Sequence, residues 1–272
     1  MSAATFTPAR ALQCRAAVVA NDDLSARYFM LRLARPREMP EPRPGQFLHV
    51  AVPESGRFFL RRPFSIHDCG DTIDLLVVEV GEGTRALRRA RAGDTVTFYG
   101  PLGGAYPEPA GRRILAVGGG VGLAPLYMYG RRVAGGFGGR YRLLYGARSA
   151  QDLFVGRIEL EAEGVRLASD DGSHGFHGTV VALAEAELER EGADVIFSCG
   201  PTVMMRAAQR LAERAGLPHH VSLENRMGCA LGACRACVVP TRLGGASPYR
   251  TVCHDGPVFD AADLDWDALP VP

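Results

Sequence analysis

Residues 112–125 read Arg-Arg-Ile-Leu-Ala-Val-Gly-Gly-Gly-Val-Gly-Leu-Ala-Pro, and the reading of this stretch decides the fold. Arg112 to Val117 has the short apolar run of a buried strand, and a helical stretch follows from Pro125 to about Val133. Between them Gly118-Gly119-Gly120-Val121-Gly122 occupies the place where phosphate-binding loops occur, since helix N-termini offer free N–H groups to anions. The stretch is not a full G-x-G-x-x-G, because Leu123 stands where the third glycine would be. Pro125 suits an early helix position. Downstream, strands at Arg140–Tyr145, Gly164–Ala168, Ala193–Ser198 and His219–Glu224 alternate with helices at Val180–Glu191 and Thr202–Ala215. In the second helix Val203, Ala207, Leu211 and Ala215 fall at helical spacing. This alternation predicts a parallel α/β sheet. Cys199-Gly200-Pro201 ends a strand and precedes a helix, at the carboxyl edge where such sheets bind ligands. A buried cysteine beside a tight turn would look the same.

Upstream the texture differs. Residues 11 to about 105 hold short β-like runs (Arg15–Ala20, Tyr28–Ala34, Phe47–Val52, Ile73–Val80, Thr95–Tyr99) broken by Gly/Pro turns, which predicts a small antiparallel barrel or sandwich. One short helix is expected over Arg85–Arg91. Arg61-Arg62-Pro63-Phe64-Ser65-Ile66 sits at the end of a barrel-like strand. The planar fork of Arg62 suits a pyrophosphate, Phe64 can lie against a flat ring, and Ser65 can hydrogen-bond a ring nitrogen. Gly81-Glu82-Gly83-Thr84 opens the short helix, where a hydroxyl and free N–H groups make an anion site. Taken singly, an edge strand with a surface arginine and a plain turn capped by Thr84 explain these stretches as well. Together, ahead of a nucleotide-type domain, they point to a flavin dinucleotide.

The sharpest signal is Cys229-x4-Cys234-x2-Cys237 with Cys253 after fifteen residues. Four thiolates at this spacing match the plant-type arrangement of a [2Fe–2S] cluster. Gly228, Ala230, Gly232, Ala233 and Ala236 are small enough to let backbone N–H groups approach the sulfurs. Structural zinc also takes four cysteines, but zinc ribbons usually pair one C-x2-C with a second, and here there is one.

Composition removes several classes. Of the 272 residues, 31 are basic and 30 acidic, a formal charge of +1 that argues against a nucleic-acid partner. No apolar run approaches the ~20 residues of a membrane helix, and Met1–Arg10 shows no secretory signal, so a cytoplasmic address is expected. All the basic residues are arginine, which excludes Schiff-base and P-loop lysine chemistry. Seven cysteines, an odd number, with four between Cys229 and Cys253, argue for a metal site over a disulfide framework.

With these segments in this order, nearly the whole chain resembles the ferredoxin reductase-like flavoproteins, and more closely the electron transfer subunits of type B dihydroorotate dehydrogenases. The resemblance rests on Arg62-Pro63-Phe64-Ser65, Gly83-Thr84, Gly118 to Pro125, Cys199-Gly200-Pro201 and the cysteine tail ending Val252-Cys253-His254-Asp255-Gly256-Pro257-Val258-Phe259. It implies an α+β multidomain protein: an antiparallel FAD-binding β-barrel over 11–105, an NAD-binding α/β domain with a parallel sheet over 106–220, and a [2Fe–2S] module over 221–272.

It further implies Arg62 at the FAD pyrophosphate, Pro63 and Phe64 beside it, and Ser65 near the isoalloxazine. Gly83 and Thr84 fall at phosphate, and Leu76, Val77 and Val78 line the adenosine or flavin side. NAD is expected across Gly118, Gly119, Gly120, Gly122 and Pro125, with nicotinamide near Cys199, Gly200 and Pro201. No residue decides NAD against NADP; Arg148 could meet a 2′-phosphate or sit idle on the surface. The implied partner is an FMN-containing catalytic subunit that oxidises dihydroorotate, in a heterotetramer. Electrons then pass through the cluster and FAD to NAD, with no acid or base required of this chain. Val239-Pro240 departs from the more polar or cysteine-containing residues expected there.

Two other readings fit parts of the sequence. One is an NAD(P)H-dependent reductase of the same architecture feeding an oxygenase or ferredoxin, disfavoured by the short tail after Cys229. The other is a non-enzymatic zinc-binding interaction module.

Overall fold

The computed structural model of the chain describes residues 12–53, 58–108, 112–133, 135–136, 140–154, 160–161, 163–243 and 247–269. Met1–Arg10, the stretch that shows no secretory signal in sequence, lies outside the described residues.

Period-2 alternation builds the first unit. In β1 (Gln13–Asp23), Cys14, Ala16 and Val18 point inward while their neighbours face solvent. With β2 (Tyr28–Ala34), β3 (Phe47–Val50), β4 (Arg62–Cys69), β5 (Thr72–Val78) and β6 (Thr95–Leu102) it closes a barrel in the order β1-β2-β5-β4-β3-β6. The interior is filled by residues such as Phe29, Leu31, Leu48, Ile66, Leu75, Val77 and Phe98. Closure leaves no strand edge open. Arg62-Pro63-Phe64-Ser65 opens β4. The short helix α1 spans Glu82–Arg88, one turn earlier than the arginine spacing predicts. The cause is Thr84, whose hydroxyl accepts from Val80 N–H (2.9 Å) and Gly81 N–H (3.2 Å) and pulls Gly83 and Thr84 into the first turn.

The second unit is a sheet in the order β10-β9-β8-β7-β11-β12-β15. It comprises β7 (Ile114–Gly119), β8 (Tyr141–Ala147), β9 (Arg166–Ser169), β10 (Phe176–His177), β11 (Val195–Cys199), β12 (His219–Ser222) and, from the cysteine-rich segment, β15 (Val258–Asp260). The pairs from β10 to β12 are parallel, and β15 joins β12 antiparallel. Helices α2 (Leu123–Arg132), α3 (Val180–Glu191) and α4 (Thr202–Ala215) make the crossovers. The helix α4 has the predicted limits but a rotated face. Met205, Ala208, Leu211 and Ala212 are buried, while Val203 is 59% exposed. The sequence holds two apolar stripes at helical spacing, and the one carrying Met205 packs on the sheet.

The last segment holds the hairpin of β13 (Val238–Pro240) and β14 (Tyr249–Thr251). Its core joins Val252, Leu264 and Trp266 to Phe47 and Leu102 of the barrel and Val221 of the sheet. Among the described residues, no helix is long and apolar enough to cross a membrane.

Two buried histidines make the fold sensitive to acid. His67 of β4 stacks on Tyr127 of α2 (centroids 4.3 Å apart, 7° between planes), and burial holds it down to about 4. His219 lies between Ser198 Oγ (2.7 Å) and Gln209 Oε1 (2.9 Å), and burial holds it down to about 3. In the unfolded chain both take up protons below about pH 6.5. The unfolded state therefore binds more protons between about pH 6.5 and 4, so stability is lost as the pH drops through that window, by roughly 1–3 kcal/mol per imidazole. Thermal melts at about pH 7.5 and about pH 5 should differ accordingly. Equal midpoints would contradict it.

Candidate redox site

The barrel contributes an anion cradle. A Cβ placed on Gly83 would lie 3.4 Å from both Nε and Nη2 of Arg62, so the guanidinium rests directly over the first turn of α1. Arg62 also donates to the carbonyl of Leu60 (2.7 Å), which fixes its direction. A fixed cation thus stands beside N–H groups that an α-helix leaves without intrahelical partners. The Thr84 hydroxyl is committed to the loop, since it also donates to Gly81 O (3.0 Å), so an anion would meet the backbone of Thr84. Arg62 and Gly83, from separate stretches of sequence, come together here. In the ladder Phe47 opposes Ser65, Leu48 opposes Phe64 and His49 opposes Pro63. The three residues at 76–78 do not act as one set: Val77 points into the barrel, Leu76 belongs to the core shared with α2, and Val78 is half-buried opposite Tyr28.

The sheet contributes a second cradle at its topological switch point. From β7 the chain winds outward through β8 one way and through β11 the other, which opens a crevice at the carboxyl ends of β7 and β11. The two predicted loops meet there. Cys199 lies opposite Gly118 in register, and a Cβ on Gly122 would come 2.1 Å from Cys199 O. A Cβ on Gly119 would meet Met204 Sδ at 2.8 Å and Pro201 Cδ at 3.1 Å, and Gly200, at φ +149°, lies against Gly119 O. Pro125 is the third residue of α2, where its missing N–H costs no helical bond. Cys199 is buried, and burial pushes its thiol far up, so it serves as a neutral wall.

Two residues that the sequence did not single out complete the crevice. Tyr28 of β2 brings its hydroxyl within 3.4 Å of where a Gly120 Cβ would be, joining barrel to sheet. Glu224, just beyond β12, is exposed, and its charge helps raise Cys199 and Tyr28. No local pattern marks either residue, because their neighbours come from the other unit.

The cysteines form a third element. Leu231 N–H and Cys234 N–H donate to Cys229 Sγ (3.3 and 3.4 Å), Gly232 N–H to Cys253 Sγ (3.3 Å), and Cys253 N–H to Cys237 Sγ (3.4 Å). Ala230 at φ +57° and Arg235 at φ +53° hold the left-handed turns that aim these amides inward. Burial opposes ionisation of Cys229, but the surrounding N–H groups outweigh it and bring the thiol to about 7. The thiol of Cys253 hydrogen-bonds Cys237 and lowers it to about 6, while Cys253 itself is pushed up. Among the described residues, no three His, Cys, Asp or Glu side chains form a group that could hold one metal ion. The thiols stand instead as two pairs, Cys229 with Cys234 and Cys237 with Cys253. With backbone N–H groups turned to their sulfurs, Cys229, Cys234, Cys237 and Cys253 would hold the [2Fe–2S] cluster whose ligand spacing they carry. Cys237 and Cys253 face the core, whereas Cys234 is exposed.

Comparison with known proteins agrees with this geometry. Residues 224–265 match the family described as the iron-sulfur cluster binding domain of dihydroorotate dehydrogenase B. The chain is similar to the dihydroorotate dehydrogenase B (NAD(+)) electron transfer subunit of Shouchella clausii, 41% identical over 229 residues, which cover 81% of this chain and 86% of that one. The subunit of the same name from Geobacillus thermodenitrificans is 37% identical over 262 residues, 92% of this chain and 97% of the relative. Among solved structures, the NADH-dependent reduced ferredoxin-NADP oxidoreductase studied for flavin-based electron bifurcation superposes with a TM-score of 0.79 at 29% identity, covering 93% of this chain and 90% of its own. With a relative this similar over this much of its length, the chain belongs to the family of dihydroorotate dehydrogenase B electron transfer subunits.

Proposed function

We infer that this chain is the electron-carrying component of an NAD-linked dihydroorotate dehydrogenase, working in pyrimidine biosynthesis with FAD, a [2Fe–2S] cluster and NAD. The observation that carries the reading is the union in one chain of a paired-cysteine centre with two anion cradles, one on the barrel and one at the switch point. The Arg62–Gly83 cradle fits a flavin pyrophosphate. The Gly118–Gly122 loop against Cys199-Gly200-Pro201 fits the dinucleotide NAD. Cys229, Cys234, Cys237 and Cys253 fit the cluster. When bound, the flavin supplies the junction between one-electron and two-electron chemistry.

The chain's own residues position and shield. Arg62 neutralises diphosphate charge, Phe64 and Ser65 are the residues proposed to face the flavin ring, and buried Cys199 keeps water from the nicotinamide. Amides around the thiolates stabilise their negative charge. The dihydroorotate-oxidising partner is an FMN-bearing catalytic subunit, the complex a heterotetramer, and the compartment the cytoplasm. The exposed side of the centre, at Cys234, is the side from which that partner can deliver electrons.

The test is NAD reduction by dihydroorotate when the chain is combined with the FMN-bearing subunit. Activity that needs both chains supports the reading. No dihydroorotate-linked activity, with NADH still bleaching the flavin and cluster, would leave a reductase of the same architecture.

Arg62→Ala should weaken FAD retention by about 2–3 kcal/mol, roughly a hundredfold in Kd, since it removes a charge-assisted fork from a diphosphate. Arg62→Lys keeps the charge but not the fork and should recover only part of the loss. Flavin release during gel filtration measures both, and unchanged retention in Arg62→Ala would remove Arg62 from the FAD site.

A further inference from the structure

The cysteine-rich segment is locked to the barrel through glycines. Gly103 at φ +78° has so little room that a Cβ would lie 2.5 Å from Pro257 Cδ, 3.0 Å from Phe47 Cε1 and 3.1 Å from Gly256 O. Beside it Gly104 N–H donates to Gly256 O at 2.7 Å. On the other flank a Cβ on Gly45, at φ +103°, would lie 2.8 Å from Val258 Cγ2. Three barrel glycines thus form a seat for Gly256-Pro257-Val258. Towards the cysteines, Thr251 O accepts from the N–H groups of His254 (3.3 Å), Asp255 (2.9 Å) and Gly256 (3.2 Å). The Asp255 carboxylate also takes the Thr251 N–H (2.6 Å) and hydroxyl (2.8 Å), so Cys253 sits in a closed turn. Towards the barrel, Phe47 lies opposite Ser65 in the ladder.

We propose that the seat of Gly256-Pro257-Val258 on Gly45, Gly103 and Gly104 sets the distance between the cluster and the flavin, and that electrons cross there, by way of Phe47 and the Gly104–Gly256 hydrogen bond. This rests on the functional reading given above. From Cys253 the chain reaches Gly256 in three residues, and one hydrogen bond or one ring contact then crosses to the barrel. Electron transfer through protein falls steeply with distance and faster still across gaps, so a contact this tight favours this crossing. The step balances simply. NADH gives a hydride, two electrons with one proton, to the flavin and becomes NAD. One electron then moves to the cluster, taking one of two ferric irons to ferrous, and no bond is made or broken in that transfer.

The test is Gly103→Ala in the full chain carrying FAD and cluster, followed by stopped-flow absorbance with NADH. Flavin bleaching should keep its wild-type rate, because Gly103 lies outside both dinucleotide cradles. Cluster bleaching should become slower than in wild type, because forcing Gly103 away from Pro257 lengthens the crossing between the two groups. The EPR g-values of the dithionite-reduced cluster should not change, and hydrogen exchange at Gly104 N–H should quicken. Should Gly103→Ala fail to fold, Phe47→Leu opens the same contact without a clash and should also slow cluster bleaching.

Cluster bleaching at the wild-type rate in the variant overturns the proposal and leaves the functional reading intact. A wild-type cluster that NADH never reduces overturns the functional reading itself.

Discussion

Cys253→Ala should yield a chain that binds flavin normally and holds no cluster: no iron, no sulfide and no EPR signal after reduction. Dihydroorotate-linked NAD reduction in the complex should fall more than about a hundredfold, since loss of an outer hydrogen bond to a metal ligand already costs 10–100-fold. Folding should largely survive. The side chain is 3% exposed and packs with Val252 and Phe259, but trading a thiol for a methyl removes one atom, a loss of about 1 kcal/mol. Cys253 accepts from Gly232 N–H and touches the thiol of Cys237, so its removal breaks the inner pair and leaves the outer one without a second iron site. NADH should still bleach the flavin at an unchanged rate, because the switch-point crevice contains no cysteine of the cluster. A full complement of iron in the variant would remove Cys253 from the ligand set.

Gly122→Ala should have an effect of similar size on the opposite half of the chemistry. The backbone there is at φ −63°, so alanine is conformationally at ease and the effect is purely one of space. The added methyl would lie 2.1 Å from Cys199 O, 2.3 Å from its carbonyl carbon and 2.6 Å from Gly200 N. All three are backbone atoms, held by the β7–β11 ladder, and cannot swing aside as a side chain would. The two loops must separate, at a cost of about 1–3 kcal/mol or more in stability. Flavin reduction by NADH should fall about a hundredfold through misplacement of the nicotinamide. FAD retention and the cluster's EPR spectrum should be those of wild type, since neither site touches Gly122. Gly118→Ala provides the contrast. Its methyl would meet Leu126 Cδ1, the far end of a flexible side chain, at 3.3 Å and the Leu123 backbone at ordinary contact distances of 3.6 and 3.7 Å, and a much smaller loss is expected. Near-normal NADH kinetics in Gly122→Ala would separate this loop from the dinucleotide.

Much of this molecule is legible along the chain. Alternation in β1 shows a barrel strand because a period of two is a local property, and the run from Ile114 through the glycines to Pro125 shows a strand, loop and helix for the same reason. The cysteine spacing carries its chemistry outright, since four thiolates so close in sequence can be wrapped by one loop. Where the sequence offered two equal choices, packing chose. Two apolar stripes compete on α4, and contact with the sheet buried the one bearing Met205. Three apolar residues run together at 76–78, and the pleat turned Val77 into the barrel and Leu76 towards α2. Thr84 moved the start of α1 by bonding backward to Val80 and Gly81.

The sequence by itself thus determined the kinds of elements, the order of the three units and the cluster ligands' spacing, because each is written in neighbouring residues. Only the tertiary structure decided which groups meet: Arg62 over Gly83, Gly122 against Cys199, Tyr28 beside Gly120, and Gly103 under Pro257. Those pairs lie far apart along the chain. Their contacts are set by barrel closure, by the parallel ladder and by the strand β15 that ties the cysteine segment into the sheet. None of these leaves a periodic mark in the sequence.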